Sequence, residues 1–165
     1  MAIVDSFASL DSCAFESVFS EGAGGSILVQ AAVFLLFQNE GRNFAHRQSE
    51  LVITNSSFLS GRAKLGGGAI YCGPSSICGI ASSNFLGNTA HHASSGGAIL
   101  SHSSDLSIAS AVFTDNTAIG GGGGSLFWQD IQPKLPPNAP DFCDFSEFSA
   151  ESAAIFGPCA ASNAI

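Results

Sequence analysis

LVITNSSFLSGRAKLGGGAI (51–70), YCGPSSICGIASSNFLGNTAHHASSGGAI (71–99) and LSHSSDLSIASAVFTDNTAIGGGGGSL (100–126) are consecutive stretches that end alike. Each carries a phenylalanine, Phe58, Phe85 or Phe113, after a small, mostly polar run. Each then carries a glycine pair: Gly67-Gly68, Gly96-Gly97, or Gly123-Gly124 inside a five-glycine run. A small residue and an aliphatic one follow, as Ala69-Ile70, Ala98-Ile99 and Ser125-Leu126. The period is about 27 to 29 residues. A fixed period of that length marks a solenoid or a related repeat array.

Working backward from each phenylalanine refines the repeat. Ile53, Ile80 and Ile108 stand five residues before it, and Leu51, Cys78 and Leu106 seven before it. Apolar residues two apart describe a strand with one buried face. Five is an odd offset, so both the isoleucine and the phenylalanine can be buried only if the chain turns a corner between them. Asn55-Ser56-Ser57, Ser82-Ser83-Asn84 and Ser110-Ala111-Val112 fill that interval, and most of these residues suit a corner. Three residues after the phenylalanine come Gly61, Asn88 and Asn116, read here as a second corner that uses positive φ. Ala63, Ala90 and Ala118 follow two later. Each period thus holds about three short extended segments. A three-sided coil of this length, stacked on copies of itself, is a parallel β-helix, an all-β fold of about four to five coils.

The N-terminal part obeys the same rule. Cys13 to Ile27 aligns with Ser56 to Ile70 without a gap, so Phe15 matches Phe58 and Gly24-Gly25 matches Gly67-Gly68. The distance from Phe15 to Phe58 exceeds one period and falls short of two. One coil with an insertion near 38–48 accounts for it. The whole chain, 1–165, reads as a single β-helix segment with clear coils over 8–126. Prolines 133, 136, 137 and 140 make 129–141 a loop, and 142–162 reads as a degraded last coil.

The pairs FLGN with GGAI, and FTDN with a further GGAIY, resemble the repeats of the polymorphic outer membrane proteins of chlamydia-like bacteria. The resemblance covers roughly Leu10 to Leu126. Val18 and Gly61 stand where the pattern has asparagine. It implies a right-handed parallel β-helix of the pectin-lyase type, used as a surface-exposed stalk or adhesin. It also implies a place at the cell surface, in the outer membrane or outside the cell.

Composition agrees with a packed solenoid: 45% of residues are hydrophobic and only 11% charged, which argues against disorder. The net charge of −8, with five basic residues, argues against nucleic acid as a partner. Met1 to Leu10 lacks the basic and apolar regions of a signal peptide. Residues 27–37 are too few to cross a bilayer. The repeat begins almost at once, so the chain reads as a fragment of a longer secreted protein.

The chemistry-bearing residues are sparse. Cys72 and Cys78 flank a five-residue turn that a disulfide could close, yet Cys78 also occupies the inward slot of Leu51 and Leu106. An odd count of five cysteines leaves at least one without a mate inside the chain. No CxxC or Cys/His zinc pattern is present, and His91-His92 lies in a corner without a carboxylate at ligand spacing. Asp105 and Asp115 are the only acids between Leu51 and Ile119, at different phases of the repeat. The paired carboxylates of a hydrolase and the base and acidic ligands of a lyase are therefore missing. The reading is a non-catalytic structural or adhesive repeat segment with no cofactor and no metal. A fragment of a carbohydrate-active β-helix enzyme is the alternative. The residues that carry the repeat are Phe15, Phe58, Phe85, Asn88, Gly96, Gly97, Phe113 and Asn116. A cell-surface protein or glycan is the expected partner, and uncapped coils predict end-to-end self-association.

Overall fold

A computed structural model describes residues 1–4, 6–30, 48–92, 95–131, 134 and 160–162. The strands come in recurring groups of four. The first turn holds β1 (Ala2–Val4), β2 (Phe7–Asp11), β3 (Ala14–Glu16) and β4 (Phe19–Ser20). The second holds β5 (Ile27–Gln30), β6 (Ser49–Thr54), β7 (Ser57–Leu59) and β8 (Arg62–Ala63). The third holds β9 (Ile70–Cys72), β10 (Ser76–Ala81), β11 (Asn84–Leu86) and β12 (Thr89–Ala90). The fourth holds β13 (Ile99–His102), β14 (Asp105–Ala109), β15 (Val112–Thr114) and β16 (Thr117–Ala118). β17 (Leu126–Gln129) lies above β13, and β18 (Ala160–Ser162) lies above β17.

Like strands of successive turns pair in parallel. Sheet A runs β1-β5-β9-β13-β17-β18, sheet B β2-β6-β10-β14, sheet C β3-β7-β11-β15, and sheet D β4-β8-β12-β16. The molecule is an all-β parallel solenoid of about four turns. Pairing joins the residues that the repeat aligned. Leu10 and Ile80 sit opposite Ile53, and Ile108 opposite Ile80. Phe15, Phe58, Phe85 and Phe113 are consecutive partners in sheet C, and Ile27, Ile70, Ile99 and Leu126 in sheet A.

The sequence pattern gave about three extended segments per turn, and the structure has four. The extra segment is sheet D, whose strands are two residues long. A second corner two residues past each phenylalanine separates it from sheet C. Ser17, Ser60, Gly87 and Asp115 occupy that corner at φ between 51° and 64°. The corner before each phenylalanine is made by Ser12, Asn55, Ser82 and Ser110 at φ between 49° and 52°. Small polar side chains are the non-glycine residues that tolerate this region.

The described part of the expected insertion is Gln48 alone. In sequence, residues 31–48 join β5 to β6, whereas 73–75 join β9 to β10 and 103–104 join β13 to β14. The added length therefore lies in the passage from sheet A to sheet B of the second turn. Most of the proline-rich 129–141 and of 142–162 lies outside the described residues. Lys134 is described: its N–H donates to Leu106 O at 2.8 Å and its C=O accepts from Ile108 N–H at 3.0 Å, so it sits on the upper edge of β14.

Candidate functional site

The inward side chains form columns, and the columns explain the repeat. Phe58, Phe85 and Phe113 are at most 1% exposed. Rings from Phe15 to Phe113 stack 4.9, 4.8 and 4.8 Å apart, tilted by 4° to 6°. That distance is the strand spacing, so the backbone ladder fixes the ring separation. Leu51, Ile53, Cys78, Ile80, Leu106 and Ile108 line the adjoining wall of the lumen, on sheet B.

The repeat pattern puts Asn88 and Asn116 at a positive-φ corner; the structure places positive φ one residue earlier and buries both side chains. Asn88 Nδ2 donates to Phe58 O at 3.0 Å and to Asn116 Oδ1 at 2.9 Å. Its Oδ1 accepts Gly61 N–H at 2.9 Å. Asn116 Nδ2 donates to Phe85 O at 3.0 Å, and its Oδ1 accepts Asn88 N–H at 3.0 Å. The amides thus satisfy backbone groups that the corner would otherwise leave buried and unpaired. The column ends at Gly61, where a Cβ would lie 2.6 Å from Gly68 O and 2.9 Å from Asn88 Oδ1. Replacing Asn88 by alanine strands the Gly61 N–H, while the Phe58 carbonyl keeps its ladder place opposite β11. At about 1 to 3 kcal/mol for a buried unsatisfied group, a loss of roughly 2 kcal/mol is expected in urea titration followed by the emission of the single tryptophan, Trp128.

A serine column escaped the sequence reading. Ser83 Oγ donates to Ala81 O at 2.8 Å and accepts Ser56 N–H at 3.1 Å. Ser56 Oγ repeats this one turn below, donating to Thr54 O at 2.7 Å and accepting Cys13 N–H at 3.1 Å. These residues stand two before the phenylalanine, inside the interval whose composition marks the corner.

The glycine pair has two different causes. Gly96 adopts φ 68°, and a Cβ there would meet Ile99 O at 2.1 Å. At Gly97 a Cβ would meet Gly124 O of the next turn at 1.9 Å. The first glycine supplies a conformation, and the second supplies contact between turns.

Cys72 and Cys78 are joined by a disulfide, with Cα atoms 6.7 Å apart. Both residues are fully buried in the lumen, so Cys78 is at once the inward residue of its column and a bridge partner. The bond ties the end of β9 to β10 across residues 73–75. A loop this short restricts the unfolded chain by about 2 kcal/mol. The Cys72→Ser, Cys78→Ala pair should lower the urea midpoint accordingly; an unchanged midpoint would contradict this. Cys13 is free and partly exposed.

Polar chemistry on the outside is limited. On sheet A, Tyr71 OH lies 3.4 Å from His102 Nδ1, and His102 Nε2 lies 4.0 Å from Asp130, which also accepts from Ser103 Oγ. Burial raises the Tyr71 phenol above the ordinary 10. A raised phenol favours the folded chain fully below the unfolded value, and that contribution is lost as pH climbs through the folded one. Tyr71 is the single tyrosine, so the phenolate absorbance of the folded chain should rise later in pH than that of the urea-unfolded chain. Asp105 pairs with Lys134 at 2.9 Å, and Glu21 contacts Lys64. Asp11 accepts from Thr54, Asn55 and Ser12, which hold its carboxyl below the usual value. His91 is half-buried and His92 exposed; their rings are 6.2 Å apart and tilted by 48°. Among the described residues, no three His, Cys, Asp or Glu side chains gather as a metal site.

The fold and its columns define a parallel β-solenoid whose working parts are repeated structural residues. Residues 82–102 match the Chlamydia polymorphic membrane protein (Chlamydia_PMP) repeat. The matched stretch runs from the corner at Ser82, through Phe85, Asn88 and the Gly96-Gly97 pair, to the end of β13. No curated protein and no solved structure matches the chain. No helix among the described residues is long and apolar enough to cross a membrane.

Proposed function

We propose that this chain is a non-catalytic structural or adhesive segment of a surface-exposed or secreted β-helix protein. One observation carries the reading. The Phe, Asn and Gly-Gly positions of the matched repeat are spent on the lumen and the corners; Phe and Gly-Gly recur in register from turn to turn, and Asn in two successive turns. Such a design builds length and leaves the outer faces to vary, which suits a stalk or an adhesive surface. A cell-surface protein or a glycan is the partner this reading calls for. Among the described residues, the polar groups on the outside of sheet A do not combine a nucleophile, a base and a charge-stabilising group at bonding distances, which favours binding over turnover.

An antibody against residues 48–131 should label intact cells of the source organism, and external protease should remove that label. Label that needs permeabilised cells and survives protease would sink the surface reading. Incubation with polygalacturonate should release no new reducing ends. Release would favour the carbohydrate-active enzyme instead.

A further inference from the structure

Outside the lumen, one part of sheet A departs from the repeat. Leu28, Tyr71 and Leu100 are register partners that alternate with the inward residues and so face outward. Two residues after Leu28 and Leu100 stand Gln30 and His102, but Gly73 follows Tyr71. Gly73 does not take positive φ, so conformation does not require a glycine there. A Cβ at this position would lie 2.8 Å from the Tyr71 ring and 3.0 Å from Val29 O. The ring therefore lies down along its strand, in the space that a side chain at 73 would take, and it stays partly exposed. Cys72, between Tyr71 and Gly73, ties this stretch to β10 through its disulfide. The ring is a preorganised apolar platform.

A donor and an acceptor border the platform. Tyr71 OH lies 3.4 Å from His102 Nδ1. With the phenol donating, the neutral imidazole carries its proton on Nε2. Nε2 stands 4.0 Å from Asp130 Oδ2, too far for a hydrogen bond between them. One hydroxyl bridges that span when it accepts from Nε2–H and donates to the carboxylate. Ser103 Oγ, which donates to Asp130, holds the carboxylate in place.

We propose that this patch binds a neutral pyranose of a glycan. One C–H face of the sugar lies on the Tyr71 ring, whose negative face attracts it, and an adjacent hydroxyl bridges His102 Nε2 and Asp130. A pyranose carries both features side by side, an apolar face and hydroxyls at its edge. Acidic sugars are disfavoured, because Asp130 sits at the rim and the chain carries a net charge of −8. The repeat needs neither Tyr71, Gly73, His102 nor Asp130 for its columns, so their convergence on one outer patch is left for recognition. The inference rests on the reading of the chain as a surface binding segment and narrows its partner to a glycan.

Saturation-transfer NMR of the purified chain with methyl β-D-galactopyranoside, methyl β-D-glucopyranoside or methyl α-D-mannopyranoside tests this. At least one should bind with a Kd on the order of 1 to 10 mM, as expected for a ligand of this size. The protons of one sugar face should receive the strongest transfer, and Tyr71→Ala should abolish it. Asp130→Asn keeps a residue that accepts the φ of 72° found there and should weaken binding roughly tenfold by removing the charged acceptor. Should Tyr71→Ala fail to fold, Asp130→Asn, on an exposed corner, decides alone. Absence of transfer to all three sugars at about 50 mM, well above that Kd, would overturn the proposal and leave a protein as the partner. Binding that Asp130→Asn leaves unchanged would overturn it as well. Cell labelling reads separately: label without sugar binding sinks the site alone, and sugar binding without label sinks the surface reading alone.

Discussion

Replacing Gly97 by alanine will destabilise the chain by more than about 4 kcal/mol, beyond the range of ordinary point mutations. The new Cβ would lie 1.9 Å from Gly124 O and 2.6 Å from the backbone N and C of Thr117. Every atom it meets is backbone of the next turn, so no side chain can rotate away. Relief requires the third and fourth turns to separate, which breaks the ladder between Gly97 N–H and Gly123 O and its neighbours. Two other glycines serve as controls. Gly87 has φ 64°, but its Cβ would find Ser60 Oγ only at 3.7 Å, so alanine there costs about 1 to 2 kcal/mol of left-handed strain. Gly79 has room on the outer face of β10 and no positive φ, so alanine there should be neutral or stabilise by about 0.5 kcal/mol. Urea midpoints in the order Gly79→Ala, Gly87→Ala, Gly97→Ala, falling steeply at the last, are expected. Equal losses at all three would show that contact between turns is not what the glycine pair provides.

The columns were legible in the sequence because a solenoid repeats its environment along with its residues. Phe58, Phe85 and Phe113 meet the same surroundings once per turn, so their spacing alone places them on one wall. The odd offset from Ile80 to Phe85 demanded a corner, and Ser82 makes it. Asn88 was less readable. Asparagine suits a left-handed corner and a buried amide column equally well, and only the backbone says that the corner falls on Gly87 instead. Sheet D was hidden because two-residue strands carry no period of their own. The cluster of Tyr71, His102, Ser103 and Asp130 was invisible for another reason. Its members come from two sheet-A strands and two corners, and three of them lack counterparts of like chemistry in the other turns. The disulfide stood between two readings because Cys78 serves both.

Replacing Phe85 by alanine should cost about 3 to 5 kcal/mol, the range for deleting a buried aromatic side chain. Phe85 is 1% exposed and has a ring on each side, Phe58 at 4.8 Å and Phe113 at 4.8 Å. The cavity cannot collapse, because the rings above and below are held by strands whose spacing the hydrogen bonds fix. Phe15 offers an internal comparison. Among the described residues it stacks on one ring, Phe58, and it is partly exposed, so Phe15→Ala should cost roughly half as much, in proportion to the smaller area removed from water. His91, at the corner beyond β12, sets the baseline: His91→Ala should change stability by less than about 0.5 kcal/mol. Denaturant titrations of the three variants, read by Trp128 emission, should rank Phe85 far above Phe15 and Phe15 above His91. A Phe15 loss equal to that of Phe85 would mean that stacking on Phe58 alone fixes the ring, and that the second neighbour of Phe85 adds nothing.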